Sequence, residues 1–278
     1  MKITKNYILI LYFINLFLVS NSFADITQTD NLNKLKELID DANQDCLVIF
    51  DVDHVLMMPS DEFTINRHPY RKKLWQEILS RHTKEKIKKL YSITASNAKW
   101  ILVDSEIMPI FYNLQRRNIP SIALSSIYTG KFGNIEKLED WRVEHMRNIG
   151  FDFTTSSPFK GELYIPELAQ KDGIPVLKAG VILTAQIDKA SVLEYILKHY
   201  HYYPKKIIFI DDQIGNIESL EAMCQKLKIE FDGVHYIAVS KMPLPLINED
   251  IEKIRFKILE TKGLWLSISE VEKLNMRN

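Results

Sequence analysis

The chain has 278 residues, 46% hydrophobic and 26% charged, with 36 Lys+Arg against 36 Asp+Glu and only 9 Gly and 10 Pro. This composition excludes collagen-like, low-complexity and wholly disordered chains, and the balanced charge gives no electrostatic footprint for a nucleic-acid partner. The two cysteines, Cys46 and Cys224, are too few for a disulfide framework and lack metal-type spacing, so structural zinc and dithiol chemistry are not expected.

The first segment reads as a secretory signal. Lys2 and Lys5 form a basic head, Tyr7 to Val19 is an apolar run broken only by Asn15, and Ser22-Phe23-Ala24 supplies the small residues of a cleavage site. The run is shorter than the ~18 residues a membrane span requires, so cleavage after Ala24 is expected. Residues 25–278 then carry 34 basic and 36 acidic side chains. No later stretch is long and apolar enough to cross a bilayer, so the expected product is periplasmic or secreted, with no stable span after cleavage. Nothing in the sequence specifies an oligomeric state.

Beyond the signal, strand-like and helix-like segments alternate. Leu32, Leu35, Leu38 and Ile39 recur at helical spacing and predict a helix over 30–42, with Asp30 as its cap. Cys46 to Phe50 is continuously apolar, as expected of a parallel strand covered on both faces. Amphipathic helices are predicted over 70–91 and 105–117, a strand over 121–125, and a helix over 135–149 stopped by Gly150. Residues 151–183 read as extended and turn-rich. A helix over 189–199, an apolar strand over 206–210, a helix over 217–228, a strand over 234–239 and helices from about 250 complete the chain. This alternation predicts an α/β fold, a Rossmann-like parallel sheet with helices on both faces.

Sheets of that kind bind ligands at the carboxyl ends of their strands. The residues there are Asp51 and Asp53, Ser125 and Ser126, and Asp211 and Asp212. Like charges about 4 Å apart repel by about 4 kcal/mol at an intermediate effective dielectric constant, so the acids require a cation among them. Oxygen donors without His or Cys suit a hard ion such as Mg²⁺.

The segment Leu47-Val48-Ile49-Phe50-Asp51-Val52-Asp53-His54-Val55-Leu56 resembles the first motif of the haloacid dehalogenase superfamily. Leu124-Ser125 resembles the second motif, Lys189 at the start of a helix the third, and the strand ending in Asp211-Asp212 the fourth, in the family's order across roughly residues 45–240. The pattern, with its signal segment, is similar to a secreted bacterial branch of the phosphatase-like members.

The resemblance implies an aspartyl-phosphate mechanism. Asp51 would be the nucleophile and Asp53 the acid and then the base, the two sharing a face if strand geometry continues through Val52. Mg²⁺ would be held by Asp51, the Asp53 backbone carbonyl and Asp212, while Ser125 and Lys189 would bind the phosphate. Asp211 is assigned a supporting role behind the ligands, with the reverse assignment of Asp211 and Asp212 left open. Ser126 is the alternative to Ser125 if the strand ends one residue later, and Lys178 lies near enough in sequence to compete with Lys189. Two positions depart from the pattern: His54 stands where Gly is common, and Asn216 where many relatives carry a further metal-side Asp.

The implied domain organisation is a signal over 1–24, a core of 25–56 and 121–278 with a second insertion over about 127–188, and a helix-rich cap over 57–120. Arg67, His68 and Arg71 fall at the cap's mouth, as anion contacts or as a solvated basic face. Trp75, Trp100, Trp141 and Tyr112 are candidates for either pocket or core, and His199, His201 and His235 read as structural or exposed. The functional expectation is a secreted Mg²⁺-dependent phosphatase acting on a small phosphorylated substrate. Its alternative is a non-catalytic binding or host-interaction protein with the same fold.

Overall fold

A computed structural model describes residues 24–60 and 68–276. The signal segment up to residue 23, and Arg67, lie outside the described residues. In chain order the elements are β1 (Ala24–Thr29), α1 (Leu32–Asp41), β2 (Cys46–Phe50), β3 (Met57–Pro59), α2 (Pro69–Arg81), α3 (Lys84–Asn97), β4 (Trp100–Leu102), α4 (Ile107–Arg116) and β5 (Ser121–Ser125). Then follow α5 (Leu138–Ile149), β6 (Glu162–Tyr164), β7 (Val176–Lys178), β8 (Val181–Leu183), α6 (Lys189–His199), β9 (Lys206–Asp211), α7 (Ile214–Leu227), β10 (Glu230–Tyr236), α8 (Ala238–Lys241), α9 (Glu249–Lys262) and α10 (Ile268–Asn275).

Eight strands form one sheet in the order β1-β10-β9-β2-β5-β8-β7-β6, parallel from β1 to β8 and antiparallel at β8-β7-β6. The expected α/β architecture, a mostly parallel sheet flanked by helices, is therefore the one observed. β2 is buried along its whole length, and its side chains alternate between two cores. Val48 and Phe50 meet Leu35 and Ile39 of α1, Phe111 of α4 and Met146 of α5. Leu47 and Ile49 meet Leu193 and Ile196 of α6 and Ile217 and Leu220 of α7. Cys46 belongs to the first core and Cys224 to the second, and both are buried free thiols on opposite faces of the sheet.

The local signals act largely as their chemistry requires. Gly150 caps α5 at φ 116°, a conformation a side chain would strain. The Asp188 side chain caps α6 by accepting the Ser191 N–H at 2.8 Å. Several expectations are corrected. The cap of α1 is Asn31, which accepts the Asn33 N–H at 2.8 Å, because Asp30 still belongs to the turn leaving β1. The predicted helix over 70–91 is two helices: the chain is extended at His82 and Thr83, and Thr83 caps the second. β1 went unpredicted because a short polar edge strand has no burial pattern to read.

The packing of the segments between the strands is as follows. The expected cap over 57–120 includes α4, whose Ile107, Ile110, Phe111 and Leu114 pack in the core beside Val48 and Phe50 of the sheet. The supposed insertion over 127–188 supplies α5 to that core and β6, β7 and β8 to the sheet. A separate cluster joins Trp75 and Ile78 of α2, Leu90 and Ile93 of α3, and Phe256 and Leu259 of α9 with Trp265. The chain beyond residue 249, assigned to the core, therefore packs with the helices that follow β3. Arg71 is buried rather than facing substrate or solvent, bonded to Glu252 of α9 at 2.9 Å. No helix among the described residues is long and apolar enough to cross a membrane.

Candidate active site

The chain runs from β2 out to β5 and β8 on one side and returns to β9 and β10 on the other, so β2 lies at the point where the strand order reverses. That is where an open parallel sheet leaves a crevice at its carboxyl edge. Asp51 follows β2 directly, and its N–H donates to the Ile210 carbonyl at 2.8 Å, fixing it level with the end of β9. β9 ends in Asp211, followed at once by Asp212. Ser125 ends β5, whose register pairs Ala123 with Phe50.

Lys189 stands at the first turn of α6 and is buried. Its ammonium donates at 2.6 Å to Asp51 Oδ1 and at 2.6 Å to Asp211 Oδ2. Burial opposes that charge, but the carboxylates of Asp51 and Asp211 outweigh it and hold Lys189 above its ordinary range. Burial likewise pushes the Asp51 carboxyl up to about 7, with Lys189 pulling against it and Asp211 and Asp53 adding to it. Lys178, the competing lysine, pairs instead with Asp140 and Glu162.

Asp211 is saturated. Its oxygens accept from Lys189, from the Gln213 N–H at 2.8 Å, and from Asn216 Nδ2 at 3.0 Å to each oxygen. Asn216 therefore braces Asp211. Asp212 is more open, with Gln213 Nε2 at 2.8 Å and His54 Nδ1 at 3.3 Å from its Oδ2. It is held below the usual carboxylate range: burial acts to raise it, and the bonds from His54 and Gln213 prevail. His54 has φ 69°, so glycine-like backbone geometry is kept there while a side chain is gained. His235, read from sequence as structural or exposed, places Nε2 3.1 Å from the Asp212 carbonyl.

Asp53 meets Arg142 of α5 in a two-pronged ion pair, with Nη1 to Oδ1 at 3.0 Å and Nη2 to Oδ2 at 3.1 Å. The guanidinium is buried and lies 5.3 Å from the centre of the Trp100 ring and 5.4 Å from that of Trp141. Sequence reasoning missed Arg142, since its only local signal is an arginine beside a tryptophan on an amphipathic helix. Ser125 is buried and its Oγ accepts the Ile127 N–H at 3.4 Å, while Ser126 is half-buried. The six expected site residues thus converge on one sheet edge. Oxygens of Asp51, Asp211 and Asp212 lie within 4.8 Å of one another, an all-oxygen set with the donor chemistry for a hard divalent cation.

His145 packs edge-on against Trp100 and Trp141, with centroids 4.9 and 4.8 Å away. Burial, reinforced by Arg142, pushes its imidazole down to about 4. Above pH 6.5 the ring is neutral in folded and unfolded chains alike. As pH falls from there towards 4, only the unfolded chain takes the proton, so stability declines across that window. Replacing His145 with Phe is expected to remove this part of the acid slope, as measured by urea unfolding between pH 4 and 7.

The architecture and site define an α/β protein with a buried lysine–carboxylate centre at the carboxyl edge of its sheet. The chain belongs to the family described as Protein of unknown function (DUF2608), whose model matches residues 28–272. It is similar to uncharacterised proteins of Rickettsia bellii, at 26% identity over 84% of this chain and 83% of that one, and of Rickettsia conorii, at 25% identity over 99% and 93%. Among solved structures, a haloacid dehalogenase-like family hydrolase from Streptococcus pneumoniae covers 68% of this chain and 93% of its own, at 13% identity and TM-score 0.37.

Proposed function

We propose that the chain is an exported phosphomonoester hydrolase of the haloacid dehalogenase type. The observation that carries this reading is the buried Lys189 ammonium, 2.6 Å from both Asp51 and Asp211, with Asp212 beside them. A lone buried ion pair would be satisfied by one acid and one base. Here Lys189 bonds two carboxylates and a third, Asp212, lies within 4.8 Å of them, which suits a site completed by a divalent cation and a phosphate. Mg²⁺ held by Asp51, Asp212 and the Asp53 carbonyl would neutralise charge on the site and on the phosphate oxygens.

The residues divide the reaction as follows. An oxygen of Asp51 attacks phosphorus, the bond from phosphorus to the ester oxygen breaks, and its electron pair leaves with the alcohol, which gains a proton delivered through Asp53. Water, surrendering its proton to Asp53, then attacks the aspartyl-phosphate, releasing inorganic phosphate and restoring Asp51. Lys189 balances charge on Asp51 and the phosphate, Ser125 donates to a phosphoryl oxygen, and Arg142 holds Asp53 in the resting site, a pair that must open on at least one oxygen before Asp53 carries a proton. Asp211 and Asn216 hold Lys189 in place.

The readout for the ion is thermal. Mg²⁺ at about 100 times its dissociation constant is expected to add about 2.7 kcal/mol to the stability of the protein, a shift of several degrees in melting temperature. Asp212→Asn should lose that shift while keeping the fold, and an unchanged shift in the variant would remove Asp212 from the cation site. The test of the reaction is release of phosphate from a generic aryl ester with Mg²⁺ and with chelator. Silence in both conditions would favour the binding-protein alternative. Export is read from residues 1–24, and N-terminal sequencing of protein recovered outside the cytoplasm should begin at Asp25.

A further inference from the structure

Beside the acids lies a cavity of about 950 Å³, at the upper end of the size of small-molecule sites. Its lining includes His54, which contacts Asp212, and Arg142, which holds Asp53, so it adjoins the site through these two side chains. The remaining walls are mainly aromatic and aliphatic. Tyr128 and Phe132 lie nearly parallel, with centroids 5.3 Å apart and planes 25° apart, and the Lys88 ammonium sits 5.7 and 5.9 Å from the two ring centres. Trp100, Trp141 and Tyr91 also face the cavity, all of them half-buried.

The wall that carries Phe132 is locked. Gly133 has φ 59°, and a Cβ there would lie 2.3 Å from Ser92 Oγ and 2.4 Å from the Lys88 carbonyl, so the loop lies directly against α3. The Asn134 N–H donates to Ser92 Oγ at 2.9 Å, pinning the next residue. The backbone that carries Phe132 is thus held against α3 before any ligand arrives, which favours a preorganised wall.

Resting on the phosphatase reading, the geometry points to a substrate class: a phosphomonoester of a planar aromatic alcohol, whose ring system occupies this cavity while its phosphate meets Asp51. A small polar alcohol would leave most of the space to water. The lining also carries Lys84, Glu85, Lys171 and Asp172, and its five aromatic rings offer the stacking faces that a planar group uses. Arg142 and His54 stand at the junction, where the ester oxygen passes from one region to the other.

The test compares 2-naphthyl phosphate with glucose 6-phosphate in the presence of Mg²⁺, using the wild type, Tyr128→Ala and Tyr128→Leu; the leucine keeps bulk and removes the flat face. The wild type should prefer the naphthyl ester by about tenfold or more in kcat/KM, mainly through KM, and both variants should cut that preference by about tenfold. Hydrolysis with no aromatic preference, or a preference unmoved in both folded variants, overturns this inference and leaves the phosphatase reading standing. If the wild type hydrolyses neither ester, that reading fails. Quenching of tryptophan fluorescence by 2-naphthyl phosphate then decides the pocket: binding weakened by Tyr128→Leu supports it, and absence of binding overturns it.

Discussion

Asp51→Asn is expected to abolish phosphate release, lowering kcat by about 10³-fold or more, because the amide cannot form the acyl-phosphate bond on which both half-reactions depend. The fold should survive and even gain. Burial raises the Asp51 carboxyl to about 7, so in the folded chain its charge is disfavoured. A raised folded value stabilises below the unfolded value near 4, and that contribution is lost as pH rises to 7. Without Mg²⁺, the variant should therefore match the wild type near pH 4 and exceed it in melting temperature at pH 8, where the wild type holds the buried Asp51 charge beside Asp211 and Asp53. Retained hydrolysis, with the initial burst of product still present, would rule out Asp51 as nucleophile.

Glu252→Ala is expected to produce the largest loss of stability. Glu252 Oε1 accepts from Arg71 at 2.9 Å and from Arg255 at 2.8 Å, and all three side chains are buried. Arg255 also donates to the Leu266 carbonyl at 2.8 Å, tying α9 to the segment before α10. Removing the acid takes a shared counter-charge from two buried guanidinium groups, a change of at most about 3–5 kcal/mol. In a protein of this size that lowers the melting temperature by about 10 °C, measurable by calorimetry. Glu252→Gln, which keeps an acceptor but no charge, should fall between wild type and alanine. A shift of the alanine variant within experimental scatter would mean that the helices after β3 are held to α9 by the Trp75, Phe256 and Leu259 cluster and by the pairs of Glu260 with Arg81 and His82.

Side chains that look alike in sequence meet different fates. Trp75 is a core residue against Phe256, Trp100 and Trp141 face the cavity, and Tyr112 is 54% exposed on α4. All four are aromatic residues on or beside helices. Periodicity reports that a helix has an apolar face, and only the partner element decides whether that face is sealed or left open to a ligand.

The three inner strands were legible because a strand covered on both faces must be apolar throughout, and the abrupt acidic ends of β2 and β9 then mark the sheet edge. Lys189 was legible as the opening residue of a helix leading into the last acidic strand. Arg142 with Asp53, His54 with Asp212, and Arg71 with Glu252 were not, being joined across separations of 89, 158 and 181 residues. Nor was the grouping of the C-terminal helices with α2 and α3. Local chemistry dictates which segments become strand or helix and where charge must gather. Which distant side chain neutralises each charge, and which aromatic faces remain uncovered, depends on how the layers close over one another, since ion pairing and burial act through space rather than along the chain.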